Sequence, residues 1–129
     1  MADTRPGSER QRDLVAILDT SPAHRAAIAD LVDALGFAAC TFATPADLLA
    51  CPWIAEIRAI LSEMRLPGMT ALGLLHTLRG RGLPVPVIVM VGSPDAPTEA
   101  RALQYGALGY LPKPLEPERL LALLTSCMS

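Results

Sequence analysis

The chain alternates five times between a short apolar run and a segment with the residue spacing of an amphipathic helix. The apolar runs, which are typical of buried parallel strands, occupy residues 14–18, 37–42, 57–61, 84–91 and 109–111. The helical segments that follow them occupy residues 22–35, 45–51, 71–78, 97–105 and 117–127. Strands that are separated by helices cannot pair as hairpins, so they form a parallel sheet through right-handed crossovers. We therefore predict an α/β fold, a doubly wound five-stranded parallel sheet with helices on both faces.

Three of the predicted helices begin with a residue that can cap the first turn. Ser21 and Thr44 each precede a proline, and Thr70 precedes the third helix. Side-chain oxygens at this position accept a hydrogen bond from a free N–H of the first turn, and proline is well tolerated at the first helical residue. Before the third helix, the Leu-Pro-Gly sequence at 66–68 predicts a turn.

Length and composition limit the chain to one domain. It has 129 residues, of which 51% are hydrophobic, so a sizeable core is available. We predict a disordered tail over 1–11 and a single domain over 12–127. The net charge of −2 argues against direct nucleic-acid binding by this domain. No apolar run approaches the ~18 residues that span a bilayer, and the polar N-terminus is no secretory signal, so we expect a cytoplasmic protein without membrane contact.

The cysteines do not suggest a metal site or a disulfide framework. The three cysteines contain no C-x-x-C motif, since they are Cys40, Cys51 and Cys127. The two histidines, His24 and His76, lie far from them in sequence. We therefore expect free thiols and no zinc.

Charged and polar residues follow the predicted strands where the strands end. Asp19 and Thr20 follow the first strand, Glu63 the third and Lys113 the fifth, while Val91 ends the fourth. Lys113 is the only lysine among eleven basic residues. Because the carboxyl ends of parallel strands line one crevice, we expect Asp19, Glu63 and Lys113 to form a charge-paired site.

The motifs at these strand ends carry a family resemblance. They are Asp19, Glu-Met-Arg-Leu-Pro-Gly-Met at 63–69, Val-Gly at 91–92 and Gly-Tyr-Leu-Pro-Lys-Pro at 109–114. In this order and spacing, residues 12–127 resemble the receiver domain of bacterial two-component response regulators. The resemblance implies a flavodoxin-like fold with strand order 2-1-3-4-5 and a cis peptide bond between Lys113 and Pro114. It also implies Mg²⁺-dependent transfer of a phosphoryl group from a histidine kinase to an aspartate, after which a changed surface is presented to partners.

The resemblance fails at three of the five positions that would do the phosphate chemistry. Thr20 stands where the family has a second acidic residue, and Glu63 occupies the phosphoacceptor position of an aspartate. Val91 replaces the threonine or serine that the phosphoryl group draws inward, whereas Lys113 and the switch aromatic, Tyr110, are retained. Glutamate is one methylene longer than aspartate, and a displacement of ~1 Å can cost ~10²-fold in rate. The hydroxyl missing at Val91 would have given the phosphoryl group a hydrogen bond worth ~1.5–3 kcal/mol.

A magnesium site is weakened by the same changes. Mg²⁺ demands nearly ideal octahedral oxygen geometry, and Thr20 removes one carboxylate ligand. We expect no cofactor, or Mg²⁺ bound only weakly through Asp19, Glu63 and the backbone of Arg65. Ser93 carries a hydroxyl two residues beyond Val91, and a two-residue shift at a strand end argues against its substituting for the missing one. We expect Glu63 to lie beside Lys113 as a permanent ion pair.

We interpret the chain as a protein-interaction module in signalling, without turnover of its own and not phosphorylated in the usual way. The expected partner is a histidine kinase or a downstream output protein. A homodimer could use the family's usual face, built from the fourth helix, fifth strand and fifth helix. Two alternatives stay open: a working receiver with weak Mg²⁺-dependent phosphorylation on Glu63 or Asp19, and the receiver half of a DNA-binding transcriptional regulator. A small-molecule binder of flavodoxin type is disfavoured, because residues 19–22 provide no glycine-rich phosphate loop.

Overall fold

The computed structural model of the protein describes residues 12–128 and contains a five-stranded parallel sheet. The strands of this sheet are β1 (Leu14–Leu18), β2 (Ala38–Phe42), β3 (Ala59–Glu63), β6 (Val87–Val91) and β7 (Gly109–Pro112). Their order across the sheet is β2-β1-β3-β6-β7, and each neighbouring pair is parallel. The predicted doubly wound sheet and its strand order are thus confirmed. The predicted tail over 1–11 lies outside the described residues.

Four helices connect the strands of the sheet, and a fifth follows the last strand. They are α1 (Pro22–Ala34), α2 (Pro45–Leu49), α3 (Ala71–Gly80), α4 (Ala96–Gln104) and α5 (Pro117–Ser126). The three predicted caps are present: Ser21 accepts from the N–H of His24, and Thr44 and Thr70 make equivalent bonds to the third residue beyond them. None of the helices in this part of the chain is long and apolar enough to cross a membrane.

The central strands β1 and β6 are buried on both faces, which explains why they are continuously apolar. On one face, α1 and α5 cover a cluster that includes Ile28, Val32, Leu120 and Leu124. On the other face, leucines of α2 and α3 pack against alternate residues of the same strands, and Ala102 of α4 joins Val89 and Val91 in a third cluster. Each strand therefore sends its side chains alternately to two helical layers.

A small hairpin separates β3 from α3. Its strands, β4 (Arg65–Leu66) and β5 (Met69–Thr70), are antiparallel and meet at a turn in which Gly68 has a φ of 81°. The turn was predicted, and the positive φ explains why glycine is found there. The two short strands that flank it were not predicted, because two residues are too few to show a period.

The third strand lies two residues later than predicted. Ile57 ends a 3₁₀ turn (Ile54–Glu56), and β3 begins at Ala59 and ends at Glu63. Since Ile57 is buried like a strand residue, its apolar side chain alone could not distinguish the turn from the strand. The consequence is that Glu63 is the last residue of the strand and not a residue of the loop beyond it.

Candidate functional site

The register of the sheet brings the predicted site residues to one edge. Leu18 pairs with Ser62, and Glu63 pairs with Met90. Asp19, one residue beyond Leu18, is therefore level with Glu63 at the carboxyl ends of the strands. On the other side, Val91 pairs with Pro112, which places Lys113 directly beyond the same edge. The predicted convergence of Asp19, Glu63 and Lys113 follows from this register.

Lys113 forms its shorter ion pair with Asp19. The distance from its Nζ to Oδ2 of Asp19 is 2.7 Å, and the Asp19 side chain is fully buried. The other carboxylate oxygen, Oδ1, accepts from the backbone N–H of Ser21 at 2.9 Å. Lys113 is held in turn by its own backbone N–H, which donates to the carbonyl of Val91 at 2.8 Å. The peptide bond between Lys113 and Pro114 is cis, as predicted.

Glu63 is held mainly by Thr20. Its Oε1 accepts from both the backbone N–H and the hydroxyl of Thr20, each at 2.6 Å. Its Oε2 lies 3.7 Å from Nζ of Lys113. The predicted pair of Glu63 and Lys113 therefore exists, but it is the longer of the two contacts of the ammonium. The role of Thr20 was missed, because the sequence showed it only as a lost carboxylate.

Hydrogen-bond donors face the carboxylate oxygens that a metal ion would use. Both oxygens of Asp19 already accept hydrogen bonds, one from an N–H and one from the Lys113 ammonium. Oε1 of Glu63 accepts two more, and the remaining Oε2 faces the same ammonium. Within residues 12–128, no group of three histidine, cysteine, aspartate or glutamate side chains could hold a metal ion. Each of these carboxylate oxygens thus faces at least one donor, whereas Mg²⁺ needs several oxygen ligands in octahedral geometry.

The two switch positions lie together behind the site. Val91 is buried, and Tyr110, with 5% of its surface exposed, packs in the same apolar cluster. The hydroxyl of Tyr110 accepts a hydrogen bond of 3.3 Å from the backbone N–H of Asp95. The Asp95 carboxylate caps α4 by accepting from the N–H of Thr98. Hydrogen bonding from the Thr98 side chain, and then from its backbone N–H, lowers the pKa of Asp95. Tyr110 is therefore hydrogen-bonded to Asp95, the N-cap residue of α4.

Neither the cap nor the tyrosine contact was predicted from the sequence. We expected α4 to begin near residue 97, whereas it begins at Ala96 with Asp95 as its N-cap. The aspartate three residues before Thr98 was a signal that could have found the cap. The Tyr110 contact joins residues fifteen apart in sequence and has no local signature.

A cavity of about 380 Å³ opens beside Glu63 at this edge. Lys113, Tyr110 and residues 90–93 are among the residues that line it. The hydroxyl of Ser93 is exposed there and makes no hydrogen bond with any described residue. The cavity thus contains an ammonium and a carboxylate that are already paired with each other.

Comparison with known proteins gives consistent matches. The family model of the response regulator receiver domain matches residues 15–125. The transcriptional regulatory protein FixJ of Bradyrhizobium diazoefficiens is 30% identical over 115 residues, which cover 88% of this chain and 56% of FixJ. The DNA-binding transcriptional regulator NtrC of Escherichia coli is 31% identical over 119 residues, which cover 92% of this chain and 25% of NtrC.

A solved structure extends the likeness to three dimensions. The response regulator receiver protein from Pseudoalteromonas atlantica superposes with a TM-score of 0.79 at 26% identity, covering 89% of this chain and 96% of that one. The chain thus spans nearly all of an isolated receiver, but only about half of FixJ and a quarter of NtrC.

Proposed function

Because the chain belongs to the response regulator receiver domain family, we propose that it is an interaction module of two-component signalling that is not phosphorylated in the usual way. The observation that carries this proposal is the pair of 2.6 Å hydrogen bonds from Thr20 to Glu63. They engage one oxygen of the carboxylate at the position where the family has its phosphoacceptor.

Three features of the site support the proposal independently. A phosphoacceptor oxygen must be free to attack in line, and a displacement of ~1 Å, such as an extra methylene produces, can cost ~10²-fold in rate. The charge that develops on a transferred phosphoryl group is usually neutralised by Mg²⁺, which the donors around Asp19 and Glu63 do not favour. Finally, Val91 offers no hydroxyl to a phosphoryl oxygen, so binding at the site would not draw this strand end inward.

The surface that such a module would present includes the start of α4. Tyr110 is buried and its hydroxyl is hydrogen-bonded to Asp95, the N-cap residue of α4. The exposed large hydrophobic residues among 12–128 are Leu103, Tyr105 and Leu121, which lie at the end of α4 and on α5. These positions support a homodimer or a partner bound through α4, β7 and α5. Sedimentation of Leu103→Glu beside the parent tests the homodimer, since the charge would dissociate it.

The phosphorylation state is tested by intact-mass measurement after incubation with acetyl phosphate and Mg²⁺. We expect no gain of a phosphoryl group on the parent chain. The double variant Thr20→Asp with Glu63→Asp is the matched control, since it restores both missing aspartates and should gain the mass. Mg²⁺-dependent labelling of the parent chain would refute the proposal and favour a weakly active receiver.

A second candidate concerns the output and follows from the relatives. FixJ and NtrC are described as transcriptional regulators, and the chain matches only part of each. The chain could therefore serve as the receiver half of a DNA-binding regulator, with DNA contacts made by another domain. Sequencing the DNA on either side of the segment that encodes these residues would decide this. A helix-turn-helix domain encoded in the same reading frame supports this candidate, and its absence refutes it.

A further inference from the structure

A second and larger recess lies between α3 and α4, beside the hairpin that begins at Arg65. It is a groove of about 560 Å³ that is open to solvent. Met64 and Leu72 contribute apolar surface to it, and Tyr105 stands at the α4 end with 55% of its surface exposed. Apolar surface with an exposed aromatic at its edge is typical of a site that binds another chain.

Among residues 12–128, the charged side chains that line this groove are Arg65 and Arg101, and no aspartate or glutamate lines it. His76 lines it as well. Within the described part of the chain, the side chains of Arg65 and His76 make no hydrogen bond or ion pair. The guanidinium of Arg101 lies over the ring of Tyr105, with its carbon 5.8 Å from the ring centroid. That stacking fixes the direction of Arg101 without neutralising its charge.

We propose that this groove binds an acidic peptide segment of a partner protein. Its carboxylates would pair with Arg65 and Arg101, and an apolar side chain between them would lie on Met64 and Tyr105. Arginine suits this role because its planar guanidinium group binds a carboxylate through two parallel hydrogen bonds. The inference does not depend on whether Glu63 can be phosphorylated.

Other occupants fit the groove less well. The chain carries thirteen acidic and eleven basic residues, so its overall charge would repel a nucleic acid. A small anion would be poorly enclosed, because the groove is open to solvent. The chain's own residues 1–11 contain two acidic and two basic side chains, so that segment offers no net negative charge.

Chain continuity connects the groove to the strand-end site. Met64 and Arg65 directly follow Glu63 and line both recesses. The backbone of Met64 is fixed on both sides, since its N–H donates to Met90 and its carbonyl accepts from Ala71. A peptide in the groove would therefore contact a rigid segment that adjoins the phosphoacceptor position.

The test is a titration of the ¹⁵N-labelled chain with the peptide acetyl-Asp-Glu-Leu-Asp-Phe-Glu-amide, followed by amide NMR. We expect saturable shifts at Met64, Arg65, Leu72 and Arg101, and binding that weakens as salt is raised. The same peptide with Asn and Gln in place of Asp and Glu should bind at least about tenfold more weakly. An oligothymidylate of equal charge serves as the nucleic-acid comparison.

Charge-reversal variants localise the effect. Arg65→Glu and Arg101→Glu should each weaken the acidic peptide by about tenfold or more, because attraction is replaced by repulsion. Arg119→Glu is the matched control, since Arg119 is exposed on α5 outside the groove and its reversal changes the net charge equally. Equal weakening by Arg119→Glu, equal binding of the neutral peptide, tighter binding of the oligothymidylate, or no saturable shift would each overturn the proposal. Failure of phosphorylation tests would leave these outcomes unchanged.

Discussion

Restoring the missing aspartates one at a time separates the acceptor from the metal site. Glu63→Asp supplies an acceptor of the family's length, but Thr20 still offers no carboxylate to Mg²⁺. We expect this single variant to be phosphorylated by acetyl phosphate much more slowly than the double variant with Thr20→Asp. A bound metal contributes several kcal/mol to such a transition state. If the metal lowers the activation free energy of phosphorylation by about 3 kcal/mol, the labelling rate rises by roughly 10²-fold.

The double variant should also lose stability that Mg²⁺ restores. Two unit charges 4 Å apart repel by about 4 kcal/mol at an effective dielectric of 20. Lys113 offsets part of this repulsion and position 20 is exposed, so we take about 2 kcal/mol as the net cost. For a domain of this size, that cost lowers Tm by about 8 °C. Mg²⁺ at a concentration about one hundred times its Kd raises the free energy of unfolding by about 2.7 kcal/mol, which raises Tm by about 11 °C.

The assay pairs thermal unfolding with intact-mass measurement, each run with and without Mg²⁺. The parent chain should show no rise in Tm with Mg²⁺ and no added phosphoryl group. In the double variant, labelling should leave the NMR signals of Tyr110 unchanged until Val91→Thr supplies the hydroxyl that couples them. Efficient Mg²⁺-dependent labelling of Glu63→Asp alone would refute the reasoning, because it would show that Thr20 is no obstacle.

Three further predictions concern contacts around the site. Tyr110→Phe should destabilise the domain by about 0.5–1.5 kcal/mol in urea unfolding, because the N–H of Asp95 loses its acceptor; no change would mean that this hydrogen bond is not formed in solution. Lys113→Met should cost about 3–5 kcal/mol, because it leaves the buried Asp19 carboxylate unpaired, and Asp19→Asn should recover part of that loss in the double variant. Burial raises the pKa of Cys40 to about 12, so iodoacetamide at mildly alkaline pH should modify this thiol in the unfolded chain and spare it in the folded one, as peptide mapping would show.

Features with a local signature were predictable from the sequence. The apolar strands, the caps at Ser21, Thr44 and Thr70, and the turn at Gly68 each depend on residues close together in the chain. The convergence at the sheet edge was predictable for a different reason, since parallel strands place their carboxyl ends side by side. Local patterns combined with this topology were therefore enough to identify the site.

Contacts that depend on side-chain reach were not predictable. Lys113 lies within reach of both Asp19 and Glu63, and the sequence did not show which contact is shorter. Thr20 turned out to hold Glu63 because its N–H and hydroxyl both point across the crevice. Such choices depend on distances of about one ångström between residues far apart in sequence, which residue patterns do not encode.

The single lysine also gives the protein an internal chemical reporter. Lys113 is the only side-chain amine in the sequence, because the remaining basic side chains are arginines and histidines, so apart from the α-amino group it is the one target of an acylating reagent. Its ammonium is 2.7 Å from Asp19 and must leave that carboxylate and lose a proton before it can be acylated. When opening and closing are fast, the acylation rate equals the intrinsic rate multiplied by the open fraction. The acylation kinetics of Lys113, assigned by peptide mapping, would therefore report how often the site opens, without any substitution.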